Sequence, residues 1–328
     1  MLELRYPLFD GERLWNAAAV TVEGGIITSV RQCSQAECGD GFLMPALIDA
    51  HVHMRTADQV EAMLQSGIAA VCDVSAAAAL AKAAHPLTIV RSAGMAMGIV
   101  MDPKGYVEQA AANGAEYIKV LLFGPLSIGK PALCAIVNEA HKRGLKVAAH
   151  ATEPATVRQA VEAGVDILLH VPMKGVFPVS LAETIAAKGI AAAPTLVMME
   201  TYAHCGRGGY KPSHYQNAER AVKILHDCGV TILAATDANP GSFAPAVGYG
   251  PSLHRELELL VKAGLTPTEA LTAATAASAD TFCLKTGHLA PGRPATMLLV
   301  DGCPDRTIAD TRRIRHLWIA GEENIPFR

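Results

Sequence analysis

One repeated unit constrains this chain more than any other feature. A short apolar run is followed by an Ala-rich amphipathic stretch, and several of those stretches stop at a glycine. The runs fall at 47–53, 69–75, 88–93, 117–122, 146–151, 167–171, 190–196 and 231–237, with helical patterns between them, for example over 131–143, 154–163 and 181–188. Gly67, Gly114, Gly144, Gly164, Gly189 and Gly229 stand where a helix C-cap is expected, just before the next run. Strand and helix alternating in this way predict parallel pairing, and eight such units predict a (β/α)8 barrel of the TIM type, an α/β fold. An open doubly wound sheet is the competing architecture, but no GxGxxG follows the first run.

Both ends of the chain have a different texture. Short β-prone runs at 17–22 and 26–30 flank Gly24-Gly25, and others follow at 297–300 and 314–319. They predict a small β-sandwich domain built from residues 1–44 and 286–328 beside a catalytic barrel at 45–285. With 328 residues and 51% apolar content, the chain can bury an ample core and is not disordered. A net charge of −3 provides no basic excess for nucleic acid. No apolar run is long enough to span a membrane, and the opening MLELRYPLFDGERLW lacks the order of a signal peptide. A cytoplasmic protein is expected. The eight cysteines include no CxxC pair and read as free thiols.

Reactive residues of such barrels gather at the C-terminal ends of the strands. The first run ends in His51-Val52-His53, and a spacing of two turns both imidazoles to one side. The fourth carries Lys119, the fifth ends in His150, the sixth reaches His170 and the eighth ends in Asp237. Each has an ordinary explanation when taken alone. Asp237 can cap the loop before Asn239-Pro240-Gly241, and Lys119 can be an edge-strand charge. Six such residues on one rim point instead to a metal site.

With these residues in hand, the chain resembles the amidohydrolase superfamily over nearly its whole length. MPALIDAHVHM is similar to that family's PGxIDxHxH entry to strand one, with Ala46 where Gly is usual. HRELELLVKAGLTPTEALTAATAASAD and then GHLAPGRPATMLLVDGCPD resemble the segment leading back into the sandwich. GAEYIKV, VAAHA and ILLH look most like the branch of prolidase-like and imidazolonepropionase-related hydrolases that use a carboxylated lysine. The resemblance implies a metal-dependent hydrolase. His51, His53 and Asp237 would bind one divalent ion, and His150 and His170 the other. Lys119, N6-carboxylated, would bridge the two as an anion. Zinc is the ion expected for so imidazole-rich a set. A metal-bound hydroxide would cleave a C–N bond in a small amide, cyclic amide or dipeptide-like substrate, with Asp237 as general base and acid. Lactones and esters offer the same carbonyl.

Three further signals bear on substrate. HVHMR is similar to the HxHxR of dihydroorotases, which makes Arg55 a candidate carboxylate clamp or else a surface residue opening the first helix. His150-Ala151-Thr152-Glu153 resembles the HxxE of mononuclear cytosine and guanine deaminases, the basis of an alternative reading as a mononuclear aminohydrolase acting on a heterocycle or imidazolone ring. Thr152-Glu153-Pro154 reads equally as a helix start with Thr152 as cap, and that reading is preferred. Long Gly-rich loops are expected after strand seven, over 197–213, and after strand eight. Tyr202, His204, Tyr210, Phe243 and Tyr249 are their candidate pocket residues. A catalytically silent barrel ranks last because no ligand of the pattern is missing. The expected partner is a small-molecule substrate, with no nucleic acid and no membrane, and a homo-oligomer is compatible with the sequence.

Overall fold

The computed structural model describes residues 1–74, 85–92, 94–242 and 244–326. Ser75 and Ala93, at the ends of two expected strands, and Phe243 lie outside the described residues. The chain opens with β1 (Leu2–Phe9), β2 (Leu14–Glu23), β3 (Ile26–Gln32) and β4 (Phe42–Pro45). Eight barrel strands follow: β5 (Leu47–Val52), β6 (Ile68–Asp73), β7 (Thr88–Arg91), β8 (Met95–Ala96), β9 (Tyr117–Leu122), β10 (Lys146–Ala151), β11 (Ile167–Leu169) and β12 (Ala191–Ala193). The chain then returns through β13 (Met297–Val300), β14 (Ile314–Ile319) and β15 (Glu322–Pro326).

Strands from both ends make one seven-stranded sheet, in the order β15-β14-β13-β4-β1-β2-β3. That sheet curls over. Its β3 edge bridges back at Ile26–Pro294, and Ile27 N–H donates to Arg293 O at 2.9 Å. Leu8, Val20, Ile27, Leu43, Met297, Leu299 and Trp318 fill the space enclosed, which is the small β-sandwich. The sequence pattern located β2, β3, β13 and β14 but not β1, β4 or β15.

The barrel consists of two parallel sheets, β5-β6-β7 and β8 through β12. β7 answers to the third expected strand and pairs with β6, while β8, beyond the expected end at residue 93, pairs with β9. The eighth, 231–237, is not a regular strand and touches its neighbours only at isolated bridges, Ala192–Ile232 and Val52–Ala238. It nonetheless fills the gap between β12 and β5. Leu233 N–H donates to Ala192 O at 2.8 Å, and Ala50 N–H donates to Ala234 O at 2.9 Å. Ladder regularity is lost because Ala234 N–H turns to Ala273 O, on the helix Pro267–Ala273. Every unit contributes inward to one cluster: Ala50, Cys72, Val90, Tyr117, Ala148, Ile167, Leu169, Ala191, Ala193, Leu233 and Ala235. This filled interior is the mark of a small barrel.

A correction concerns the segment after strand seven. Residues 196–205 are not a loop but the helix Leu196–Cys205, which buries Leu196, Val197, Met198, Met199 and Ala203. The glycines that suggested a loop, Gly206, Gly208 and Gly209, are confined to the connection before the helix Pro212–Asp227 and adopt positive φ there. Strand seven therefore ends at Ala193 rather than at residue 196. Among the described residues, no helix is long and apolar enough to cross a membrane.

Candidate metal centre

The barrel interior dictates which side chains reach the mouth. Tyr117 and Ala148 point inward, and side chains alternate along a strand, so Lys119 on β9 and His150 on β10 form the next layer up. His51 and His53 cannot arise that way, because Ala50 is also inward. The β5–β6 register slips between Asp49 and Val52, and that irregularity carries both histidines to the interior face. His170 follows the inward Leu169 and reaches the site because its backbone is left-handed, with φ 69°. Thr195 (φ 50°) and Asp237 (φ 57°) are left-handed as well, and such strain in non-glycine residues concentrates at functional sites.

The six sequence-predicted residues come together. His53 Nε2 lies 3.1 Å and His51 Nε2 3.4 Å from Asp237 Oδ1. The rings of His51 and His53 are 5.2 Å apart, those of His51 and His170 5.4 Å, and those of His150 and His170 4.4 Å. The ligand atoms of His51, His170 and Asp237 all lie within 4.8 Å of one another. This tight trio draws on both of the ligand sets expected from the sequence. Lys119 is fully buried beside them.

The electrostatics of this cluster suit cation binding. Burial, with the Lys119 ammonium second, pushes His51 and His150 down to about 3. His170 is held well below the ordinary value by burial and by His150. Burial also lowers Lys119 to about 7, opposed only in part by Asp237. Burial works to keep Asp237 protonated, but its hydrogen bonds with His51 and His53 prevail and hold it well below the usual carboxylate range. The result is three neutral imidazoles, those of His51, His150 and His170, beside one carboxylate. Nε2 of His150 is buried and has no hydrogen-bond partner, and the Nδ1 of His170 is engaged by Thr195 Oγ1 at 2.7 Å, leaving its Nε2 available. A divalent cation would satisfy those nitrogens, so the residues present fit the group.

Residues that sequence reasoning passed over hold this arrangement. Asp49 accepts from His51 N–H (3.2 Å), Thr236 N–H (3.0 Å) and the Thr236 hydroxyl (2.6 Å), pinning strand one to strand eight at the register slip. Its burial lifts the carboxyl to about 7. A charged residue inside an apolar strand was the available signal. Asp73 Oδ1 accepts from Met54 N–H at 2.9 Å, at the foot of the loop that follows the His pair.

The substrate-side candidates are distributed unequally. Tyr249 is half-buried, and its hydroxyl donates to His53 O at 2.6 Å. Arg55 is exposed next to the His pair, its backbone N–H bonded to Gln59 Oε1 at 2.6 Å. Tyr202 stands edge-on to Tyr210 at 5.9 Å on the helix Leu196–Cys205, within the electrostatic reach of Asp237. His204 is exposed, with Nδ1 2.8 Å from Glu200 O of its own helix. Phe123, not anticipated, stands edge-on to His150 at 5.6 Å. At the helix Pro154–Ala163 the N-cap is Glu153, not Thr152; the Thr152 hydroxyl is buried without a partner. Glu153 is exposed and does not join the histidine cluster.

Comparison with known proteins bears on the family and the fold. Residues 42–323 match the Amidohydrolase family. The ochratoxinase of Aspergillus niger is 29% identical over 238 residues, covering 64% of this chain and 46% of that protein, so the chain spans about half the length of this curated relative. Its crystal structure superposes with a TM-score of 0.82 at 19% identity, covering 98% of this chain and 95% of the other. A Xaa-Pro dipeptidase solved with methionine in its active site gives 0.81 at 19% identity, over 98% and 99% of the two chains. A putative prolidase from Bifidobacterium longum gives 0.80 at 23% identity, over 100% and 96%. With residues 42–323 of its 328 matching that family, the chain belongs to the amidohydrolase family.

Proposed function

We propose that the chain hydrolyses the C–N bond of a small amide carrying a carboxylate, such as an N-acyl amino acid or dipeptide, at a centre of two divalent ions. Zinc is the ion proposed. His51, His53 and Asp237 would hold one ion and His150 and His170 the other, with Lys119 carboxylated between them. Bound there, the ions would polarise a carbonyl and acidify water. The observation that carries this reading is the orphaned, buried Nε2 of His150, whose ring stands 4.4 Å from that of His170, beside a buried lysine. A permanent ammonium among these nitrogens would oppose any cation, whereas a carbamate removes that conflict and adds an anionic ligand.

The chain's own groups do the rest. Asp237, kept ionised by His51 and His53, takes a proton on Oδ1 and returns it to the leaving nitrogen. Arg55 offers a fork to the substrate carboxylate at the edge of the mouth. The names of the relatives, ochratoxinase and Xaa-Pro dipeptidase, are in keeping with such a substrate. A small-molecule partner in the cytoplasm is part of the same reading.

The tight trio of His51, His170 and Asp237 favours a second reading, a single ion and deamination of a heterocycle or imidazolone. Elemental analysis of protein expressed with zinc and bicarbonate separates the two. Two ions per chain, falling in Lys119→Ala, together with hydrolysis within an N-acyl amino acid and dipeptide library, support the first reading. One ion unaffected by Lys119→Ala supports the second, and no bound metal overturns both.

A further inference from the structure

His170 is the ligand whose position depends most on other residues, since alternation alone would point it out of the barrel. Two observations show what holds it. The helix Leu196–Cys205 begins after Thr195, its N-cap residue, yet the Thr195 side chain makes no capping bond. Its hydroxyl lies instead 2.7 Å from His170 Nδ1. A helix without a cap leaves its first N–H groups unsatisfied, at a cost when they are buried. Here the buried Glu256, from the helix Pro251–Lys262, supplies the missing acceptor: Leu196 N–H donates to Oε1 at 2.9 Å and Val197 N–H to Oε2 at 2.7 Å. Glu256 and Thr195 are both inaccessible to solvent.

We propose that Glu256 and Thr195 form a positioning relay for the metal ligand His170. Glu256 takes over the capping of the helix, and Thr195, released from that task, is held left-handed with its hydroxyl on the imidazole. Nδ1–H donates to Oγ1 and the Nε2 lone pair is directed at the ion site. Without Glu256, the cap residue has a competing use for its hydroxyl, namely the helix's own N–H groups. A β-branched residue at φ 50° is strained, so the pairing must be held from outside. This rests on the metal reading of the proposed function. Neither residue touches the reacting atoms.

The test uses the full-length, metal-stripped protein and zinc ion alone, with apparent affinity read by chelator competition and folding checked by circular dichroism. Thr195→Val keeps the shape and removes the oxygen, and Thr195→Ser restores the oxygen. The expected result is a loss of about 10- to 100-fold in zinc affinity for Thr195→Val, with Thr195→Ser close to wild type. Glu256→Gln, which replaces one acceptor oxygen by a donor, weakens zinc binding in the same direction. Wild-type affinity in Thr195→Val would overturn the relay, as would equal losses in Val and Ser. Wild-type protein that binds no zinc would instead remove the proposed metal centre itself. If Glu256→Gln fails to fold, the Val/Ser pair still decides.

Discussion

The two sides of the barrel mouth are built differently. On β9 and β10 the residue-by-residue register from Lys146↔Tyr117 to Ala151↔Leu122 is unbroken, and Lys119 and His150 reach the site by alternation alone. From β11 through the eighth unit to β5 the ladder is short, slipped or reduced to bridges. There His170, Thr195 and Asp237 are left-handed, and Asp49 and Glu256 are buried to hold backbone N–H groups. One side places ligands by periodicity and needs no help. The other places them against periodicity and needs polar groups buried for that purpose.

The largest effect expected from breaking this division is at Asp49. Asp49→Ala leaves two backbone N–H groups and a hydroxyl without their acceptor and should destabilise the metal-free protein by about 3 kcal/mol in urea denaturation. A loss no larger than that of a surface substitution would mean that the register slip holds itself.

A smaller and pH-dependent effect is expected at His254, on the same helix as Glu256. Its Nδ1 lies 2.9 Å from Thr311 Oγ1 and its Nε2 3.1 Å from Ser66 O, docking that helix. Burial, then Arg312, lowers it to about 4. The unfolded chain therefore takes up the proton first, and stability is lost as pH falls from about 6.5 toward about 4. Between about pH 7.5 and pH 5, wild type should lose about 2 kcal/mol relative to His254→Gln. A constant difference across that range would show that His254 titrates alike in the folded and unfolded states.

The finest comparison sets His170→Gly against His170→Ala in the metal-free state, with the same pair at residue 150 as control. Both substitutions at residue 170 remove the hydrogen bond to Thr195, so their difference isolates the left-handed backbone, which glycine adopts more readily than alanine. His170→Gly should be the more stable of the two by about 1 kcal/mol, whereas in the regular strand at residue 150 the order reverses. Equal stabilities of the two variants at residue 170 would mean that its left-handed turn carries no strain.

The same division explains what the sequence disclosed. β9 and β10 were located to the residue, and the six clustered residues were found, because strand ends and period-two spacing are local properties. Glycine C-caps such as Gly164 (φ 82°) were equally local. The helix Leu196–Cys205 was mistaken for a loop because nearby glycines dominated the pattern, while its apolar face is set by packing. The irregular eighth unit, Asp49 bonding to Thr236 and Glu256 bonding to Leu196 and Val197 depend on partners far along the chain. No window of sequence contains both members of such a pair.

β4 lies between β1 and β13 in the curled sheet, and only Ala46 separates it from β5, the strand that delivers His51 and His53. Its β13 neighbour, Met297 opposite Pro45 through Val300 opposite Phe42, comes from the far end of the chain. During synthesis the His pair therefore precedes its anchor: the strand that pairs with β4 emerges only after every barrel strand has been made. Such long-range pairing is slow to form and leaves apolar strand edges open in the meantime. The order of translation thus makes the first ligands synthesised among the last to be secured.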